Sequence, residues 1–303
     1  MLEVIDIRKS FGENNVLNGV SLKINDGDVY GLIGSNGAGK TTLMNIICTV
    51  LPKDGGRVLL DGREIKAASD LGSDVGYFVD IPAMFEFFTG YEYLNYLASS
   101  TGLNYNRVKE RADELFRLTG LNGVGNKQIK TFSRGMKQKM GIVSGLFNNP
   151  KILIMDEPSS ALDPAGRADM EEIIKSLKNQ GKTILLSTHI LSDAEKICNK
   201  IGLLADGVIV TQGNIGDILG GEKEAVYDIQ LENEENANIL KEALVRFNPV
   251  SVEKAGVIVR VKLNDMGGAK KLLKFLADTD LNIVSFSLKK ETLQDIYLKT
   301  VKK

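Results

Sequence analysis

The sequence predicts an α/β protein with two domains, and three features support this. Short apolar runs such as KILIMDE (residues 151–157) are typical of strands buried in a parallel sheet, and they alternate with helical segments. The chain has 303 residues, which is long for a single domain. Its last part follows a different order of strands and helices. We therefore predict a first domain over residues 1–218 and a smaller accessory domain over residues 222–303.

The elements of the first domain follow from local patterns. Short strands are predicted for LEVIDI, VSLKI, VYGLIG and GGRVLLDG, with a turn at NDGD. A helix is predicted for GSNGAGKTTLMNIICTVL up to Pro52, and a largely helical region extends from residue 91 to about residue 148. The remaining elements are the strand KILIMDE, the helix GRADMEEIIKSLKNQG, the strand TILLST and the helix HILSDAEKICNK. Alternating strands and helices predict helices on both faces of the sheet.

The second domain has its own pattern. A short helix near residues 213–222 ends at a Gly-Gly pair, where we place the boundary. Strands are then predicted at 225–231, 249–254, 256–263 and 282–288, and helices at 235–246, 267–278 and 292–301. The order βαββαβ predicts a ferredoxin-like α+β domain.

Bulk composition narrows the class of protein. Lysine and arginine total 38 against 39 acidic residues, so the net charge of −1 argues against a dedicated nucleic-acid binder. Cys48 and Cys198 match no metal-ligand spacing, and we interpret them as buried thiols of a reducing cytosol. The N-terminus is charged too early for a signal peptide, and no apolar run approaches the ~20 residues of a membrane span. We expect a cytoplasmic protein that works at a membrane only through a separate spanning chain.

A glycine-rich loop after the third strand carries the clearest chemistry. GSNGAGKT (residues 34–41) fits G-x4-G-K-[ST] and lies between a strand and a helix, as the motif requires. Backbone N–H groups of such a loop close around phosphate oxygens, and a Cβ at Gly37 or Gly39 would keep the oxygens away. Lys40 provides a cation for the β- and γ-phosphates, and the Thr41 hydroxyl can bind Mg²⁺. The motif predicts binding of a nucleoside triphosphate.

Two acidic residues and a histidine follow other strands. Asp156 ends the buried run ILIMDE and can hold the water shell of Mg²⁺. Glu157 is a candidate general base for water that attacks the γ-phosphate. His189, the single histidine of the chain, ends TILLST and should lie at the same sheet edge. We favour a γ-phosphate contact for His189 over a purely structural role.

A second anion-binding helix start is predicted in TFSRGMKQKMG (residues 131–141). Ser133 occupies an N-cap position, and the N–H groups that follow suit an anion. Taken alone, Ser133 is better explained as a simple helix cap, because most N-cap serines bind nothing. The sequence therefore raises the question of why one chain should carry two phosphate sites.

Residues 77–96 hold 8 of the 19 aromatic residues of the chain. They are consistent with a subdomain core or with an exposed groove that receives a helix of a partner. We expect both, with Phe78 and Tyr96 inward and Phe85, Phe87 and Tyr91 toward the groove.

With these motifs together, the chain resembles the ATP-hydrolysing subunit of ABC transporters. GSNGAGKTT looks like Walker A, ILIMDE like Walker B, FSRGMKQ like the signature motif, SALD like the D-loop and STH like the switch-histidine region. The resemblance covers residues 1 to about 218. The stretch from Phe132 to Pro158 is most similar to bacterial ATPases of multidrug, bacitracin-resistance and lantibiotic-immunity exporters.

The resemblance implies a P-loop ABC ATPase core with an antiparallel β subdomain and a helical subdomain at about residues 85–148. It implies that two such subunits pack head to tail and that each ATP lies between one P-loop and the other signature helix. The implied ATP-binding residues are Phe11, Val16, Ser35, Asn36, Gly37, Ala38, Gly39, Lys40, Thr41 and Thr42. The implied residues toward the partner's ATP are Ser133, Arg134, Gly135 and Met136, with the D-loop residues Ser160, Ala161, Leu162 and Asp163. The implied catalytic residues are Glu157 and His189, and the implied Mg²⁺ ligands are Thr41, Asp156 through water, and Asp80 at the Q-loop position.

Four positions depart from the family pattern. Arg134 and Met136 replace a glycine and a glutamine of the usual signature, and Arg134 either adds a cation near the phosphates or points to solvent. Asp80 replaces the Q-loop glutamine and is shorter and charged. Phe11 replaces the usual adenine-stacking tyrosine, which preserves the ring face.

The sequence therefore predicts an ATPase subunit with ATP and Mg²⁺ as cofactors, which powers a separate membrane permease. We expect a homodimer rather than a heterodimer, export of a drug or peptide, a place on the inner face of the membrane, and no nucleic-acid partner. The alternatives are an import ATPase and a non-transport ABC ATPase. The latter class would be expected to show a tandem ATPase domain, a long coiled coil or basic arms.

Overall fold

The computed structural model describes residues 1–79, 84–99, 105–160, 162–219, 225–245, 249–263, 268–289 and 292–301. The chain divides into two compact units. One comprises Met1–Ile215 with the residues from Tyr297 onward, and the other comprises Gly216–Ile296. Among the described residues, no helix combines the length and the hydropathy needed to cross a membrane.

Ten strands and eight helices are described from Met1 to Leu219. The strands are β1 (Leu2–Phe11), β2 (Asn14–Ile24), β3 (Val29–Ile33), β4 (Gly55–Leu60), β5 (Arg63–Glu64), β6 (Val75–Phe78), β7 (Ile152–Met155), β8 (Thr183–Thr188), β9 (Lys200–Ala205) and β10 (Val208–Asn214). The helices are α1 (Lys40–Ile47), α2 (Ala68–Leu71), α3 (Gly90–Ala98), α4 (Tyr105–Thr119), α5 (Arg134–Leu146), α6 (Pro164–Asn179), α7 (Leu191–Ile197) and α8 (Ile215–Leu219). A 3-10 turn covers Ile129–Thr131.

Two sheets enclose the core of the first unit. A four-stranded antiparallel sheet has the order β2-β1-β4-β5, and a six-stranded sheet has the order β10-β9-β3-β8-β7-β6. The strands from β9 to β6 are parallel, and every residue of β3, β7 and β8 is buried, as expected for strands covered on both faces. Apolar residues of α1 pack into a core formed with strands of both sheets. This confirms the predicted α/β architecture with an antiparallel β subdomain.

The register of the parallel strands determines where the chemistry lies. Ile33 at the end of β3 is opposite Thr188 at the end of β8, and Met155 at the end of β7 is opposite Leu186. The segments that follow these three strands therefore emerge at one edge of the sheet. Ligands of open α/β sheets bind at this carboxyl edge.

The region from 91 to about 148 is largely helical in its described part, as expected: α4 ends at Thr119, before Gly120 with φ +71°, and α5 starts at Arg134. One sequence expectation was wrong for the first unit. The helix expected over 189–200 is shorter, and Lys200 already begins β9. The β9–β10 hairpin was not predicted, although its Asp206-Gly207 turn is a typical hairpin signal.

The second unit has four strands on which two helices pack. Its elements are β11 (Ala225–Leu231), α9 (Glu234–Val245), β12 (Ser251–Ala255), β13 (Ile258–Leu263), α10 (Gly268–Ala277) and β14 (Ile283–Lys289), and α11 (Leu293–Val301) follows. The strand order β12-β13-β11-β14 is antiparallel throughout, which is the ferredoxin-like βαββαβ arrangement. Alternate residues of β11 and β13 face the helices and form a separate apolar core with them.

Candidate nucleotide-binding site

The glycine-rich loop connects the buried strand β3 to helix α1. Gly37 and Gly39 have φ values of +85° and +101°, which only glycine adopts readily. A Cβ at Gly39 would lie 2.8 Å from a Leu17 methyl carbon, whereas a Cβ at Gly37 would meet no atom within 4 Å. The sequence attributed both glycines to phosphate access. At position 39, the crowding by neighbouring side chains is enough to explain the requirement for glycine. Gly37, in contrast, faces open space.

The loop leaves the start of α1 ready for an anion. The N-cap residue is Gly39, so no side chain caps the helix, and the first turn contains no acidic residue. The first N–H groups of a helix have no partners within the helix and carry the positive end of its dipole. This end of α1 therefore suits a phosphate group.

Lys40 is almost fully buried beside the loop. Its ammonium donates to the carbonyl oxygens of Gly34 at 2.9 Å and Ser35 at 3.1 Å. It also lies 3.1 Å from Oε1 of Glu157. These contacts hold the cation at the junction between the loop and the end of β7.

The acidic residues that follow β7 are connected through β8. The Ser187 hydroxyl donates to Oδ1 of Asp156 at 2.6 Å and accepts the backbone N–H of Glu157 at 2.9 Å. Nδ1 of His189 lies 2.8 Å from Oε2 of Glu157. Glu157 itself has φ +49°, an uncommon backbone conformation of the kind that clusters at functional sites. The sheet edge thus brings together the Asp156, Glu157 and His189 side chains that the sequence selected from separate segments.

Of these three side chains, Glu157 and His189 line a cleft of about 510 Å³. Its lining residues are Val16, Asn36, Gly37, Gly39, Lys40, Thr41, Thr42, Glu157, Ser160 and His189. Ser35 and Ala38 belong to the same loop, and the Ala38 N–H donates to the Ser35 carbonyl oxygen.

Phe11 does not line this cleft. Its ring is 51% exposed at the end of β1, and the Lys9 ammonium lies 5.4 Å from the ring centre. The Lys9 ammonium is held by Asp54 at 2.8 Å. One face of the ring therefore has a cation above it, an arrangement that stabilises both groups.

The signature residues line a different cleft, also of about 510 Å³. Ser133 is the N-cap of α5, and its hydroxyl accepts the N–H of Met136 at 3.2 Å. The lining residues include Ser133, Arg134, Gly135, Met136, Leu162 and Asp163. No acidic residue occupies the first turn of α5, so this helix start is also favourable for an anion.

The D-loop contributes residues to both clefts. Ser160 lines the first cleft, whereas Leu162 and Asp163 line the second. Asp163 also caps α6, because its Oδ1 accepts the N–H of Gly166 at 2.8 Å. Two further sequence-selected residues, Asp80 and Ala161, lie outside the described residues.

Ser187 is the site residue that sequence reasoning missed. The available signal was a serine near the end of the buried strand TILLST, where a buried hydroxyl needs a partner. Its partners come from β7, which is distant in sequence.

Four aromatic side chains form an exposed cluster in the helical region. Phe85, Phe87, Phe88 and Tyr96 lie with ring centres 4.9 to 6.0 Å apart. Phe85 and Phe87 are exposed and Phe78 is buried, as expected, but Tyr96 is 51% exposed and belongs to this cluster. We call these four residues the aromatic surface.

Tyr91 was expected in the same groove, but its contacts lie elsewhere. Its ring packs against Phe116 and its hydroxyl donates to Asp113. That hydrogen bond is the main cause that raises the pKa of Tyr91 to about 12. Tyr91 therefore connects α3 to α4 rather than joining the aromatic surface.

A parallel sheet that carries a glycine-rich loop, an uncapped helix start and paired acids at one edge defines a P-loop nucleotide hydrolase. Comparison with known proteins narrows this class. The family model described as ABC transporter matches residues 17–160. The lantibiotic transport ATP-binding protein SrtF of Streptococcus pyogenes is 36% identical over 212 residues, which cover 70% of this chain and 90% of SrtF.

Two further comparisons agree. The bacitracin transport ATP-binding protein BcrA of Bacillus licheniformis is 28% identical over 303 residues, which cover 99% of this chain and 97% of BcrA. A solved structure of an ATP-binding subunit of an ABC transporter is 32% identical with a TM-score of 0.64, covering 73% of this chain and 92% of that one. The chain belongs to the ABC transporter ATP-binding family. It is an ATPase of that family, which confirms the resemblance inferred from the motifs.

Proposed function

We propose that this chain is the ATPase subunit of an exporter and that two copies enclose two ATP molecules to drive a separate membrane permease. One observation carries the proposal. The P-loop and the capped start of α5 line two different clefts of the same chain, and both helix starts suit an anion. If two chains pack head to tail, each cleft completes the other, which answers why one chain carries two phosphate sites.

The P-loop cleft binds the phosphates of ATP in this proposal. The N–H groups of Gly37 to Lys40 and the start of α1 surround the phosphate oxygens, and the Lys40 ammonium neutralises their charge. Mg²⁺ would be held by the Thr41 hydroxyl, which lines this cleft, and by the carboxylate of Asp156, which follows β7 directly and accepts the Ser187 hydroxyl. Mg²⁺ supplies charge neutralisation of the β- and γ-phosphates.

Glu157 acts as the general base in this proposal. Its carboxylate accepts a proton from the water that attacks the γ-phosphate, and the Ser187 hydroxyl holds its backbone N–H in place. His189 contacts one oxygen of this carboxylate, and Lys40 contacts the other. The Lys40 ammonium and the His189 ring thus hold both oxygens of the base in place.

The signature cleft faces the ATP of the partner subunit. Ser133 and the N–H groups of Gly135 and Met136 provide donors there, and Arg134 adds a cation where the family usually has glycine. The exposed ring of Phe11 stacks on adenine through the face that Lys9 does not cover.

The aromatic surface is proposed to receive a short helix of the permease. Exposed and mutually packed aromatic rings are uncommon on a free surface and are enriched at interfaces. SrtF and BcrA are described as lantibiotic and bacitracin transport proteins, which favours a peptide or drug as cargo and export as the direction. The chain then acts at the cytoplasmic face of the membrane. An importer ATPase remains the second candidate.

The composite site is tested by the charge at residue 133. Aspartate and asparagine cap a helix as well as serine does, so both variants keep α5 intact. Aspartate alone puts a negative charge against the partner's γ-phosphate, and two like charges at ~4 Å repel by about 4 kcal/mol at an effective dielectric near 20. This repulsion corresponds to roughly a thousandfold weaker dimer.

The experiment uses the Glu157→Gln background, in which turnover falls by ~10²–10⁴ and ATP stays bound. Sedimentation with Mg-ATP should show a dimer for Glu157→Gln and for its Ser133→Asn derivative, but a monomer for its Ser133→Asp derivative. All three proteins should bind a fluorescent ATP analogue equally. Equal dimerisation of the asparagine and aspartate variants would leave Ser133 as a cap only and remove the support for the composite site.

A further inference from the structure

The two helices of the second unit share one layer. Both α9 and α10 lie on the same face of the β12-β13-β11-β14 sheet, and their buried residues belong to one apolar core. The buried residues of the two helices are Ala237, Leu240, Leu244, Leu272 and Leu276. Their opposite sides are left facing outward, and these outward sides carry opposite charges.

The outward side of α9 is acidic. Glu235 and Glu242 are seven residues apart, and Ile239 lies between them on the same side of the helix. All three are exposed, and Ile239 is 50% exposed. The helix presents two carboxylates around one apolar side chain.

The outward side of α10 is basic. Lys270 and Lys274 are four residues apart and exposed, and the helix contains Lys271 but no acidic residue. Leu273 beside them is 47% exposed. No ion pair joins these lysines, or Glu235 and Glu242, to any other residue that the structure describes.

We propose that this helix layer is a homotypic interface, in which α9 of one copy packs against α10 of a second copy. A twofold axis places the same patch on both subunits, so the patch must be complementary to itself. An acidic helix beside a basic helix meets this condition, because each copy offers the charge that the other lacks. Ile239 and Leu273 provide an apolar centre within the charged residues.

The charge pattern argues against an anionic lipid surface as the occupant. The lysines of α10 alone would attract such a surface, but Glu235 and Glu242 on the neighbouring helix would meet the same lipid headgroups. A second copy satisfies both helices at once.

The interface is small and therefore weak alone. Helices of 12 and 10 residues are about 18 and 15 Å long and lie ~10 Å apart, so roughly 350 Å² per copy is available. Stable interfaces bury about 1,200 Å² or more in total. The contact acts mainly between subunits that are already held together, where the effective concentration is high.

The proposal does not depend on the nucleotide-bound dimer, because it concerns different residues and needs no ATP.

Charge reversal tests the interface without nucleotide. One variant carries Glu235→Lys with Glu242→Lys, so both of its helices are basic, and the other carries Lys270→Glu with Lys274→Glu, so both are acidic. Lys127→Glu with Lys130→Glu is the matched control, since these exposed lysines lie in the first unit and give the same change in net charge as the acidic variant. Sedimentation equilibrium at low ionic strength measures self-association of the full chain.

The wild-type chain and the control should associate weakly, and the association should weaken with salt. Each charge-reversed variant alone should have an association constant at least about tenfold lower than that of the wild-type chain, since several exposed ion pairs become repulsive. An equimolar mixture of the two should regain the wild-type affinity as a heterodimer. A wild-type chain that stays monomeric, or a mixture no better than its components, would overturn the proposal. In the Glu157→Gln background with Mg-ATP, each charge variant should still form the ATP-dependent dimer. Loss of that dimer would count against the composite ATP site and not against the helix interface.

Discussion

At the residue scale, Ser187 joins the two acids of the nucleotide site. It donates to Asp156 and accepts from the backbone of Glu157, so one hydroxyl fixes a carboxylate and the adjacent peptide. The peptide needs fixing because Glu157 holds a left-handed backbone conformation that an ordinary residue adopts at a cost. Ser187 is therefore a positioning residue, which acts on the reaction through its neighbours.

Replacing Ser187 with alanine should lower kcat by about 10–100-fold, because a small displacement of the base is costly to the rate. Thr183→Val is the matched control. Thr183 is a buried hydroxyl at the other end of β8, and it accepts the Gly27 N–H at 2.9 Å. Both variants should lose about 1–3 kcal/mol of unfolding free energy in urea titrations. Steady-state ATP hydrolysis should separate them, and an equal kcat for the two variants would show that Ser187 has only a structural role.

The sequence was sufficient to select Lys40, Asp156, Glu157 and His189, because each belongs to a short motif with a clear chemical requirement. It did not identify Ser187, whose role depends on the pairing of β7 with β8. The sequence also could not show that Gly37 and Gly39 are required for different reasons, since Leu17 crowds Gly39 only in the folded chain. Local sequence patterns do not report contacts between segments that are distant in the chain.

At the scale of elements, the aromatic surface lies where the helical region presents its exposed rings. Phe87 is 64% exposed and contacts Phe85 and Phe88 in the cluster. Tyr96 was expected to face inward, but Tyr93 and Leu94 are the side chains of α3 that are buried. A dense aromatic run therefore indicated the surface correctly without assigning each ring.

If the aromatic surface is the proposed permease contact, Phe87→Ser should reduce drug or peptide export by the assembled transporter while the purified chain hydrolyses ATP at the wild-type rate. The side chain is mostly exposed, so the change in unfolding free energy should stay within about 0.5 kcal/mol. Tyr105→Ser is the control, since Tyr105 is 53% exposed on α4 and outside the aromatic surface. Resistance of cells that express each variant with the permease measures export. Full resistance with Phe87→Ser would argue against this surface as the permease contact.

The elements that the sequence predicted best are those with strong local patterns. The buried strands β3, β7 and β8 and the helices α6, α9 and α10 occur at or close to their predicted positions. The β9–β10 hairpin was not predicted, and the helix expected over residues 189–200 was too long. There the pairing of β9 with β3 ends the helix early, at Ile197.

At the scale of the whole molecule, the described residues include two separate apolar cores, one in each unit. The first core joins both sheets around α1, and the second joins α9 and α10 to the sheet of the second unit. All residues that line the two clefts come from the first unit. Nucleotide binding should therefore need only that unit.

A chain that ends at Gly220 should remain soluble and bind ATP with the affinity of the full chain. It retains β1 to β10 and every residue of the P-loop cleft, from Val16 to His189. It lacks the residues from Tyr297 onward, which group with the first unit, so its melting temperature should fall by a few degrees, as for a loss of about 1 kcal/mol. Titration with a fluorescent ATP analogue and a thermal melt check both points. Aggregation together with loss of nucleotide binding would show that the first unit cannot fold without the C-terminal residues.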